Sequence, residues 1–78
     1  MADRTKAIET FDYLDALRES GDTNMVGASS YLQDEFLFSR EIAKKVLTAW
    51  MHTFSHSLTV SERVTTANER DLLPTFMK

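Results

Sequence analysis

Three sets of side chains in this sequence are of types that do chemistry. His52 and His56 lie four residues apart, a spacing that places two imidazoles on one face of a helix and makes half of a zinc or other transition-metal site. A working site needs a third ligand and groups that orient the ligands, and the sequence indicates neither. His-Thr-Phe-Ser-His also lacks the glutamate of the zinc-protease pattern. Two histidines near a helix C-terminus, where a cation meets the negative end of the dipole, are the simpler account. No metal and no other cofactor is expected.

The second set is acidic. Asp12, Asp15, Glu19 and Asp22 fall in the first third of the chain. Paired carboxylates do acid–base work when an apolar pocket raises the pKa of one of them. Here Asp12, Asp15 and Glu19 fall on the outer side of an amphipathic helix and read as a solvated face, with Asp22 in the turn that follows. No nucleophile–base set and no phosphate loop accompanies them, and Gly21 and Gly27 are too isolated to form one. The expectation is a protein without enzymatic activity or a small-molecule substrate. Its acidic face, Asp12, Asp15, Glu19 and Asp22, is then offered to a protein partner.

The third set is basic. Arg40, Lys44 and Lys45, continued by Thr48 and His52, share a face of one helix with Glu41 as the only acid. A preceding helix and a corner of about two residues at Leu37 and Phe38 resemble a helix-turn-helix, whose second helix enters the major groove of DNA. The corner lacks the glycine common in that turn.

These sets need elements to position them. The only glycines are Gly21 and Gly27 and the only proline is Pro74. Long stretches free of breakers favour helices over short strands. The spacing predicts a first helix over residues 3–20, with Ile8, Phe11, Leu14 and Leu17 on one side and Gly21 as its stop. A second helix is expected over 25–36, begun by Thr23 or Asn24. A third follows over 40–56, capped by Ser39, with Ile42, Ala43, Val46, Leu47, Ala49, Trp50 and Phe54 inward. Leu37 and Phe38 read as an apolar corner. Residues 57–78 read as a short-helical or irregular tail, packed on a core of residues 1–56 or used in association.

Residues 13–28 run Tyr-Leu-Asp-Ala-Leu-Arg-Glu-Ser-Gly-Asp-Thr-Asn-Met-Val-Gly-Ala, followed by Tyr31, Leu32, Phe36, Ser39, Ala43, Leu47, Trp50 and Met51. This resembles a group of short uncharacterised bacterial and phage proteins that share Y-L-D-x-L-R-E-S-G-x-T-N-M-x-G-A, then Y-L, then a helix ending in W-M. The resemblance covers about residues 11–54. It implies a bacterial or phage origin and a helical core, and it carries over no catalytic residue. Val26 stands where the pattern has an aromatic residue, and the chain after about Phe54 lies outside it.

Composition bounds the rest. Seventy-eight residues make one domain, and 42% hydrophobic content suits a folded chain. The sequence contains no cysteine, so no disulfide or thiolate site holds it. No run of about 18 apolar residues is present to span a membrane, and a cytoplasmic location is expected. The net charge is −3, yet residues 1–22 carry six acids against three bases, while residues 39–58 carry Arg40, Lys44 and Lys45 against Glu41. An overall acid excess argues against a protein that coats nucleic acid but leaves room for one basic face. The fold expected is all-α, a small three-helix domain with a tail. The first functional expectation is an interaction or regulatory protein that binds a protein partner or self-associates. DNA binding through residues 40–56 is the alternative.

Overall fold

The computed structural model describes residues 4–21, 27–55 and 57–77. Within them the chain is all-helical, with four α-helices and a closing 3₁₀ turn: α1 Arg4–Ser20, α2 Ala28–Phe36, α3 Arg40–His52, α4 Val60–Glu69 and the turn Thr75–Met77. α1 packs chiefly on α4, and α2 chiefly on α3. The Cα trace measures 32 × 30 × 17 Å. Its thin dimension is less than two helix diameters, so every helix must give one face to a single shared core.

α1 forms over the expected residues and stops at Gly21, whose φ of +71° is the left-handed turn that glycine adopts without a Cβ clash. Its buried stripe is Ala7, Thr10, Phe11 and Leu14, while Ile8 and Leu17 are half-buried. Thr10 is tolerated inside because its hydroxyl donates to the Lys6 carbonyl at 2.7 Å. The expected start of the second helix, with Thr23 or Asn24 as its cap, lies outside the described residues; from Ala28 onward α2 is helical, with Gly27 at its N-cap. Ser39 caps α3 as its type suggests, its Oγ accepting from the Ile42 amide at 3.2 Å.

The tail is the main departure from the three-helix expectation. Thr59 and Glu62 form a capping box: the Glu62 amide donates to Thr59 Oγ1 at 3.1 Å, and the Thr59 amide donates to Glu62 Oε1 at 3.0 Å. Together these satisfy two of the amides that every helix start leaves open. They begin α4, which buries Val64 and Ala67, and beyond it Leu73 and Met77 are buried too. The indifferent helix propensities of Thr65 and Thr66 are outweighed by that burial and that cap. α3 also ends earlier than its apolar pattern suggests. The Thr53 hydroxyl bonds back to the Ala49 carbonyl at 2.8 Å, and the chain leaves the helix after His52. An aromatic row of Tyr13, Phe36, Phe38 and Phe76, with centroids 5.4 to 5.9 Å apart, ties α1, the α2–α3 corner and the 3₁₀ turn together.

Candidate functional site

The α2–α3 unit is built from the inside outward. α2 contributes Ala28 and Leu32 to the core, and α3 contributes Ala43, Val46, Leu47, Ala49 and Trp50. That inward set fixes the rotation of α3. Arg40, Glu41, Lys44, Lys45, Thr48 and His52 are consequently all exposed on the opposite side. All five residues expected on the basic face therefore share one solvent-facing surface. Glu41 lies in the first turn, where the helix dipole favours an anion.

Residues 37–39 join the two helices. Leu37 ends α2 with φ 58° and ψ 32°, the left-handed conformation that lets a chain leave one helix and start another within three residues. The glycine whose absence the sequence reading noted is thus replaced by a leucine in the conformation that glycine favours. Leu37 is not part of an apolar corner, since it is 89% exposed. Only Phe38 turns inward, half-buried and stacked 5.4 Å from Phe36.

The acidic set is split by the structure. Asp12 and Glu19 are exposed. Asp22 lies outside the described residues. Asp15 is half-buried and committed to interior partners: its Oδ1 accepts from Trp50 Nε1 at 2.8 Å, and both its oxygens accept from Arg63 Nη1 at 3.0 Å. Position explains this, because Asp15 follows Phe11 by four residues and so continues the buried stripe of α1.

Arg63 is the residue the sequence reading missed. It lies three residues after Val60 and four before Ala67, on the inward face of α4, and it is 2% exposed. Its Cζ sits 5.1 to 5.6 Å from the ring centres of Phe11, Trp50 and Phe54, so three π-faces and one carboxylate surround the charge. Nε and Nη2 are buried without a hydrogen-bond partner. The ring faces are the attraction left for those N–H groups. Arg18 lies over the outer side of the cluster, 4.5 Å from the Phe54 ring centre. A shallow cleft of about 120 Å³ opens beside Asp15, Arg18, Glu19 and Ser55. That is room for about four waters, well short of the roughly 300 Å³ at which small-molecule pockets begin.

α3 ends at His52, and His56 of the expected histidine pair lies outside the described residues. Among the described residues no group of three or more His, Cys, Asp or Glu side chains comes together as a metal site. No helix of the described residues is long and apolar enough to cross a membrane. Compared with known proteins, the chain matches no family model, no curated protein and no solved structure.

Proposed function

We propose that this chain binds double-stranded DNA, with α2 and α3 acting as a helix-turn-helix and α3 entering the major groove. The observation that carries the reading is the basic face of α3: Arg40, Lys44, Lys45, Thr48 and His52 all stand in solvent, behind a three-residue turn and on a helix whose other side is core. The leading residues of α3 read base edges in this arrangement, and the lysines pair with phosphates. The acid excess of the chain lies outside α3, which carries Arg40, Lys44 and Lys45 against Glu41 alone, although Asp34 and Glu35 at the end of α2 stand close to it in sequence. The protein therefore makes few phosphate contacts and binds with modest affinity at physiological salt.

The test is fluorescence anisotropy of a labelled mixed-sequence duplex titrated at several salt concentrations. About three cations at the interface give a log–log salt slope of about −3. Replacing Lys44 and Lys45 together by alanine lowers the affinity and makes the slope shallower by about two. No binding even at low salt would sink the reading.

A protein partner is the second reading. Asp12 and Glu19 support it because both remain free to meet a basic surface, while Asp15 is committed to Trp50 and Arg63. Under that reading Asp12→Lys with Glu19→Lys abolishes self-association or partner binding in sedimentation, and the Lys44 and Lys45 variants leave it intact.

A further inference from the structure

Leu37 occupies a backbone position that disfavours its side chain. At φ 58° and ψ 32° a Cβ crowds the neighbouring carbonyl, and glycine alone escapes the clash. Among the described residues the only other non-glycine with positive φ is Asp71. Aspartate is one of the short polar types that tolerate this region, and leucine is not. Burial does not compensate, because Leu37 is 89% exposed, the highest value among the large apolar residues in solvent. The neighbouring Phe36 and Phe38 rings stack on each other and take the packing role at this corner. The backbone of Leu37 makes the turn, but its side chain, left in water, gains almost nothing from packing in the fold.

Its place in the chain points to what the side chain meets. Leu37 lies between the last residue of α2 and Ser39, the cap of α3, three residues before Arg40, where the basic face begins. In a helix-turn-helix this end of the second helix approaches the base edges. Thymine is the base that presents an apolar group there, its 5-methyl.

We propose that Leu37 is a base-contacting residue, placing its isobutyl group against a thymine 5-methyl in the major groove beside the N-terminal end of α3. The assignment rests on the DNA-binding reading above and deepens it, adding an apolar, sequence-reading contact to a face that is otherwise charged and polar.

The test compares the wild-type chain with Leu37→Gly on two labelled duplexes of one mixed sequence, the second carrying deoxyuridine in place of every thymidine. Glycine relieves the strained turn, so the variant melts about 4 °C higher. The wild type binds the thymine duplex about fourfold more tightly than the uracil duplex, the worth of roughly one buried methyl group. Leu37→Gly binds both duplexes alike, and no more tightly than the wild type binds the uracil duplex. The assignment is overturned if the variant matches the wild type on the thymine duplex, if uracil weakens both proteins equally, or if the variant melts lower. Those results leave DNA binding itself standing. A wild type that binds neither duplex at low salt overturns the DNA reading and the Leu37 assignment together.

Discussion

Two regions of this molecule treat charge in opposite ways. Where α1 meets α4, Arg63 is enclosed by Phe11, Trp50 and Phe54 and held by Asp15, which also takes the Trp50 indole N–H. Along α3, Arg40, Lys44 and Lys45 point away from an apolar core into water. The first arrangement spends its charges on position: a buried guanidinium with one carboxylate fixes how α1, α3 and α4 meet. The second leaves its charges uncommitted. Cations held inside by a carboxylate and ring faces, against the cost of desolvation, report on the fold, whereas cations kept outside on a rigid helix are available to a ligand.

Substitutions break that contrast at different strengths. Asp15→Ala should have the largest effect. It strands Arg63, whose side chain is 3% exposed, without the carboxylate it pairs with among the described residues. Removing one partner of a buried pair costs about 3–5 kcal/mol. A core of this size supplies little more than that, so the cooperative thermal melt should vanish. A melt close to wild type would mean that the three rings hold Arg63 without Asp15.

Trp50→Phe sharpens the same comparison at lower cost. The ring stays in the core, but the 2.8 Å bond to Asp15 is lost. A loss of about 1–3 kcal/mol is expected, since a hydrogen bond to a charged acceptor lies in that range. Urea unfolding would measure it as a lower midpoint with the slope unchanged.

Thr59→Ala removes the α4 cap, for about 1 kcal/mol. Its pH behaviour is separately testable. The bonds to the Thr59 backbone and hydroxyl hold the Glu62 carboxyl below the ordinary glutamate value of 4.5. A depressed carboxyl stabilises the fold above its unfolded value, and that contribution fades as the pH falls from about 4.5 through the folded value. The wild type should lose α4 protection from hydrogen exchange across that acidic window, and Glu62→Gln should flatten the dependence. The smallest effect on stability belongs to α3. Lys44→Ala with Lys45→Ala should stay within about 0.5 kcal/mol of wild type. A larger loss would show that these lysines, too, serve the fold.

The helical regions were legible where one physical rule acted alone. The apolar periodicity and Gly21 marked α1, and Ser39 with the run from Ile42 to Trp50 marked α3. Trp50 is core, as its spacing suggested, at 3% exposure. Legibility failed where a residue's type and its place disagreed. Arg63 was invisible because arginine is read as a surface residue, although Val60, Val64 and Ala67 bracket it on one face; only its pairing with Asp15, 48 residues away, makes the burial tolerable. Leu37 reads as part of an apolar corner because leucine is apolar, and no sequence pattern announces a left-handed backbone without glycine. The basic face of α3 was readable residue by residue, since a strong inward stripe leaves the other side of a helix no choice.

The burial of Leu73 and Met77, with the 3₁₀ turn lying against α1, has a consequence in time. α1 obtains its full set of neighbours only when residue 77 exists, because Arg63 and the closing turn come from the far end of the described chain. At about 5–20 residues per second of synthesis, α1 waits roughly 3–12 seconds with Phe11 and Leu14 uncovered. Contacts so distant in sequence also slow folding relative to a bundle of neighbouring hairpins. The nascent chain is thus open to chaperones or to association with its own kind during that interval.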